Sequence, residues 1–223
     1  FISRDKKTAG FQNILGWAMS RIRTSDVFWQ GYDHSQWTGF MQHDFSNPSR
    51  QIAYDLIRKI IVGAGRDIPL MFSEIGFGGA YDFENCFKEL EDNAQIIYTG
   101  FDRTAYFVNY AKTDFPEYDF RVGEFDTLGT LTFDITYTRH TIQHAAPEVY
   151  QDWIRWMLGA TKQVAIIVWH PPCSQEHFDW KDGWNNTYDR EIVDSIIRGR
   201  GFSIEAHPAG DEDEIYLLRR NDP

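Results

Sequence analysis

From Ser49 onward, apolar positions follow two alternating rhythms. Ile52, Leu56, Ile60 and Ile61 fall at helical spacing and Gly63-Ala64-Gly65 closes the run, so a helix is expected over Ser49 to Val62. Pro69 to Ile75 is an apolar run of strand length that opens onto glycines. Further helices are expected over Asp82 to Asp92, Thr104 to Thr113, Pro147 to Ala160 and Tyr188 to Arg198. Between them lie strand-like runs at Gln95 to Asp102, Asp119 to Gly123, Phe133 to Thr138 and Gln163 to Trp169. Strands separated by helices specify a parallel sheet covered on both faces. The last two runs, Phe202 to His207 and Glu214 to Arg219, are joined by a short turn and must pair antiparallel. The expected fold class is therefore α/β: three-layer and doubly wound, a mostly parallel seven-stranded sheet with an antiparallel C-terminal strand hairpin.

Residues 1–48 break this rhythm. They mix Trp17, Phe28, Trp29, Tyr32, Trp37 and Phe40 with Gly and His and end at Asn47-Pro48, which reads as a helical and loop cap segment. Residues 49–223 form the expected main domain. A chain of 223 residues accommodates one domain with a modest extension. It opens on Phe1 rather than Met, so a natural N-terminus upstream is expected.

Charge narrows the function classes. The formal net charge of −11 disfavours nucleic acid as a partner, because that binding relies on Lys and Arg neutralising phosphates. No apolar run of about 18 residues suggests a membrane span. The two cysteines, Cys86 and Cys173, are far apart, which points to a reducing compartment and a cytoplasmic location. The chain also carries 8 Trp in a 16% aromatic content, enough to line a small-molecule pocket as well as a core. A homo-oligomer stays open.

The chemistry gathers at the strand ends, where open α/β sheets bind ligands. The first strand ends in Glu74-Ile75-Gly76-Phe77-Gly78-Gly79-Ala80. Glycines there let the backbone take positive φ and approach a ligand closely. A carboxylate before the turn repels a pyrophosphate but suits a ligand carrying positive charge or hydroxyl donors. The second strand ends at Asp102, the third at Glu124-Phe125-Asp126, and the fourth runs through Asp134 to Thr138-Arg139-His140.

In these motifs the chain resembles the class I methyltransferases that use S-adenosyl-L-methionine (SAM), particularly the small-molecule type, over about residues 50–220. The resemblance implies that Glu74, Gly76, Phe77 and Gly78 seat the methionine part of SAM. It implies that Asp102, with Arg103 beside it, holds the ribose hydroxyls and that Glu124 and Phe125 hold adenine. Thr138 and Arg139 would line the methionine end. The product would be S-adenosyl-L-homocysteine (SAH), and the expected reaction is O- or N-methylation of a small molecule. Ala80 departs from the family's third glycine, with Gly79 beside it as the compensating residue. The interval from Glu74 to Asp102 also exceeds the ~20 residues of the dinucleotide fingerprint. A nicotinamide enzyme is opposed by Glu74 and by Tyr81 at the third glycine position. A catalytically silent SAM-binding subunit of the same fold is the alternative reading.

His140 and His170 are the candidate bases, since an imidazole titrates near neutrality and both follow strand ends. His140 and His144 at i, i+4 would share a helical face, half of a zinc pattern, but Thr141 stands where a metalloprotease has Glu; no metal is expected. Trp37, Trp180 and Trp184 are the candidate substrate contacts. Asp211-Glu212-Asp213 is expected to be a solvated turn.

Overall fold

A computed structural model describes residues 48–65, 68–123, 125–145, 149–173, 186–210 and 213–221. The cap expected over residues 1–48 lies, apart from Pro48, outside them, as do Trp37, Glu124, Trp180 and Trp184.

Helix α1, Pro48–Gly63, opens the described chain and buries Arg50, Ala53, Tyr54, Ile57 and Ile61 on one stripe. The strands are β1 (Leu70–Ile75), β2 (Ile96–Asp102), β3 (Asp119–Val122), β4 (Phe133–Arg139), β5 (Thr161–Trp169), β6 (Phe202–Ala209) and β7 (Asp213–Arg220). Between β1 and β2 a π-helical turn, Phe83–Phe87, runs into α2, Lys88–Asp92. The remaining helices are α3 (Ala105–Asp114), α4 (Tyr150–Ala160) and α5 (Arg190–Gly199). Asp189 caps α5 by accepting from the Ile192 N–H, which satisfies one of its first-turn donors.

The strands form one 7-stranded sheet in the order β3-β2-β1-β4-β5-β7-β6. β1 pairs in parallel with both β2 and β4, so the chain reverses direction across the sheet between β1 and β4. β7 pairs antiparallel with β6, as the sequence requires, and antiparallel with β5 on its other side. Pro208 is tolerated because β6 is an edge strand.

Side-chain alternation splits the core in two. Phe72, Tyr98, Tyr137, Ile166, Ile215 and Leu217 face α1, α2 and α3. Ile75, Phe101, Ala165, Ile167, Tyr216 and Leu218 face α4 and α5. The sheet is thus the middle of three layers, as the sequence pattern predicts. No helix among the described residues is long and apolar enough to cross a membrane.

Candidate functional site

The turn after β1 takes positive φ at every second residue: Gly76 at +76°, Gly78 at +53° and Ala80 at +58°. The third left-handed position therefore falls on Ala80 itself, and Gly79 does not take it over. The Gly76 N–H donates to the Phe101 carbonyl at 2.7 Å, which ties the turn to the end of β2. A Cβ on Gly76 would lie 2.2 Å from Thr141 Oγ1, so only glycine fits beneath the segment that follows β4.

Asp102 is 7% exposed and faces this turn. Its Oδ2 accepts from the Gly78 N–H at 3.0 Å and its Oδ1 from the Thr104 N–H at 2.8 Å. A carboxylate has about four acceptor positions, so these bonds orient it and leave capacity for hydroxyl donors. Burial raises its pKa, while the two N–H groups and the Arg103 charge pull the other way.

A second set of charged groups is buried between the sheet and α1. Glu74 is 3% exposed and accepts from Tyr98 Oη at 2.5 Å. Asp82, in the first turn after the glycines, receives Tyr54 Oη at 2.8 Å and Tyr137 Oη at 2.9 Å, with Arg50 Nε 2.7 Å away. Arg50 also lies over the Tyr81 ring, 4.6 Å from its centroid. The two acids are shifted in opposite directions. Burial and then the Asp82 charge push Glu74 well above the usual carboxylate range, against the Tyr98 hydrogen bond and Arg50. Burial acts on Asp82 as well, but Arg50, Arg139 and the tyrosine hydroxyls more than offset it and hold the carboxyl below its ordinary value.

A third cluster lies at the ends of β4 and β5. Asp213, the first residue of β7, is 5% exposed, not solvated as the acidic run suggests. Its Oδ2 accepts from Ser49 Oγ at 2.6 Å and stands 3.1 Å from His140 Nε2. Its Oδ1 stands 3.5 Å from His170 Nδ1. The correction has a simple cause: β7 begins at Asp213, and period-two alternation puts it on the buried face of Ile215 and Leu217. His140 takes φ +50° and ends the strand, and Ile142–His144 is a 3-10 turn, so His140 and His144 do not share a helical face. No metal-ligating cluster occurs among the described residues.

The other expected contacts are placed as follows. Thr138 Oγ1 donates to the Ile75 carbonyl at 2.9 Å, bracing β4 against β1. The Phe77 ring packs into the core, 5.0 Å from Phe120, so a ligand would meet only its backbone. The Phe125 ring is 1% exposed and stacks on Trp153 at 4.8 Å. Arg139 ends β4 half-buried and acts electrostatically on Glu74 and Asp82.

The architecture matches several solved structures. One is the magnesium protoporphyrin IX methyltransferase of Synechocystis with bound SAM: TM-score 0.59, 16% identity, 78% of this chain and 80% of that one. Another is the 1,6-didemethyltoxoflavin-N1-methyltransferase of Burkholderia thailandensis: TM-score 0.64, 13% identity, 93% and 90% coverage. A third is the [4+2]-cyclase SpnF: TM-score 0.58, 12% identity, 76% and 81% coverage. No protein-family model and no curated protein sequence matches the chain. The fold is that of the class I SAM-dependent methyltransferases.

In this methyltransferase fold three site residues escape motif reading: Arg50, Asp82 and Asp213. Arg50 leaves a trace in sequence, since positions 50, 53, 54, 57 and 61 form one helical stripe and Arg50 is its only charged member. A charge on an apolar stripe signals a buried partner. Asp82 leaves none, because a carboxylate in a first helical turn is ordinary on electrostatic grounds alone.

Proposed function

We propose that this protein is a SAM-dependent methyltransferase acting on a small-molecule acceptor. The observation that carries the reading is the make-up of the buried charge cluster beside the glycine turn. Glu74 and Asp82 face Arg50 and Arg139 there, so acids and bases stand together in one place. That set complements a ligand end bearing both an ammonium and a carboxylate, as the methionine part of SAM does. Asp102, oriented by the turn it faces, suits the ribose hydroxyls.

When bound, SAM supplies a methyl group activated by the sulfonium. The chain's part is to hold Asp102 fixed, to balance charge around Glu74, and to orient an acceptor while excluding water. Glu124, Trp37, Trp180 and Trp184 are proposed to complete the adenine and acceptor contacts. The residues 1–48 are proposed as the cap. The net charge of −11 argues for a small acceptor rather than a polyanion. Methyltransferases of magnesium protoporphyrin IX and of 1,6-didemethyltoxoflavin among the similar structures support a small acceptor too.

Calorimetry with SAM and with SAH tests the reading. Binding of both is expected, weakened at least ~10-fold in Asp102→Ala, since hydrogen bonds to a charged group contribute about 1.5–3 kcal/mol each. Absence of heat with either ligand, and of any thermal shift, refutes it. The presence of a [4+2]-cyclase among the similar structures keeps a second reading in place: a SAM-binding protein that transfers no methyl group. SAM binding without SAH formation on any acceptor would favour it.

A further inference from the structure

Glu74 and Asp82 lie in one buried cluster but have different neighbours. Asp82 receives Tyr54 Oη and Tyr137 Oη and has Arg50 Nε 2.7 Å away. Glu74 receives Tyr98 Oη at 2.5 Å; among the described residues it has no second donor and no cation in ion-pair contact. The backbone is built for that one bond. Glu74 pairs with Gly100 across β1 and β2, and a Cβ on Gly100 would stand 2.8 Å from Tyr98 Oη. Glycine thus leaves the hydroxyl its path to the carboxyl group.

A carboxylate that is 3% exposed, with one neutral donor and no cation in contact, is costly to ionise. The groups facing it from each element do not remove that cost. From α1 come Tyr54 and Arg50, and Arg50 is turned to Asp82. From the segment after the glycine turn come Asp82, whose negative charge opposes a second one, and the Cys86 thiol. From β2 comes Tyr98, and from β4 come Tyr137 and the half-buried Arg139. Burial holds the Tyr98 and Tyr137 hydroxyls far above the ordinary phenol range, so both stay donors. The upward shift of Glu74, caused first by burial and then by Asp82, agrees with this geometry.

We propose that Glu74 carries a proton in the ligand-free protein and releases it to solvent as the ammonium end of SAM or SAH enters, so that ligand capture is coupled to deprotonation. The proposal rests on the SAM-binding reading and deepens it. The Glu74 O–H bond breaks, its electron pair stays on the carboxylate, and the proton passes to the buffer. The entering ammonium is the contact cation that Glu74 lacks in the protein alone, and an opposite charge in contact favours the ionised form. The neutral carboxyl spares the ligand-free cluster an unpaired buried charge, and the carboxylate then makes a charge-assisted hydrogen bond in the complex. Affinity for SAH therefore falls as pH drops into the range where Glu74 takes up its proton, by at most about 10-fold per pH unit.

Calorimetry with SAH near neutral pH, repeated in buffers of different ionisation enthalpy, counts the protons released. Close to one proton per SAH bound is expected in the wild type. In Glu74→Gln, which keeps an acceptor for Tyr98, no release and an affinity independent of pH are expected. Binding without release in the wild type overturns the proposal. Undiminished release in Glu74→Gln does so as well, because the proton then comes from the ligand or another group. An infrared difference spectrum of the wild type, with minus without SAH, decides the matter even if the variant does not fold. Loss of a protonated-carboxyl band on adding SAH is expected, moved by 13C labelling of glutamate carboxyls, which separates Glu74 from Asp102. Absence of that band overturns the proposal. No binding of SAM or SAH removes the SAM-binding reading itself, whereas binding without proton release removes only the coupling, so the two failures are distinguishable.

Discussion

Gly76 and Thr141 are fitted to one another: a Cβ on Gly76 would come within 2.2 Å of Thr141 Oγ1, 2.5 Å of its Cγ2 and 2.9 Å of its Cβ. Thr141 is itself held, its hydroxyl donating to the Arg139 carbonyl at 3.0 Å. The turn that presents the glycine amides is thereby clamped against the chain leaving β4. Gly76→Ala meets this clash and a φ of +76°, which an L side chain rarely adopts. A loss of about 2–4 kcal/mol in urea unfolding is expected, together with loss of SAH binding. Adding Thr141→Ala should return part of the stability, because the two sites are in contact and their effects couple. Additive losses would show that the clash is not the cause.

Ala80 carries the opposite defect. Its φ of +58° suits glycine, and the left-handed region costs an L-residue roughly 1–2 kcal/mol. Ala80→Gly relieves that strain but frees the unfolded chain, which offsets up to about 1 kcal/mol. A net gain of about 0.5–1 kcal/mol in a denaturant titration is expected. A variant less stable than the wild type would mean that the Ala80 methyl, 0% exposed, contributes more by packing than its backbone costs.

Arg50 and Asp82 pair at 2.7 Å, with side chains 1% and 5% exposed. Removing one partner of such a pair leaves a buried charge alone, at about 3–5 kcal/mol. Arg50→Met should therefore lower the melting temperature by roughly 6–20 °C, given about 2–4 °C per kcal/mol at this chain length. Arg50→Met with Asp82→Asn should be more stable than Arg50→Met alone. A smaller loss, under about 1 kcal/mol, would mean the cluster is hydrated in solution.

Glu91 makes stability depend on pH. Burial pushes its pKa from 4.5 up to about 7, although its carboxylate accepts from the Tyr98 N–H. The folded chain then binds more protons than the unfolded one across that window. Its contribution is fully present below pH 4.5 and is lost as pH rises through about 7. Melting curves at pH 5, 6 and 7.5 should show a steeper decline in the wild type than in Glu91→Gln. His140 works with the opposite sign below pH 6.5, since burial lowers its pKa. It is present in both proteins, so the difference between them isolates Glu91. Parallel curves would refute this assignment.

How much of this was legible in the chain differs between fold and site. The strand and helix periods of the sequence determined the layers, the parallel pairing and the antiparallel β6–β7 hairpin, because burial of one face is a local demand written residue by residue. The glycine turn and Asp102 were legible for the same reason: a positive φ and a strand-end carboxylate each belong to a single position. The convergence of Ser49, His140, His170 and Asp213 was decided only by tertiary structure. Those residues lie in α1, after β4, after β5 and at the start of β7, and no short-range pattern links them. Whether a carboxylate is solvated or buried beside two imidazoles depends on which strands are neighbours, and strand order is settled by the packing of the whole sheet.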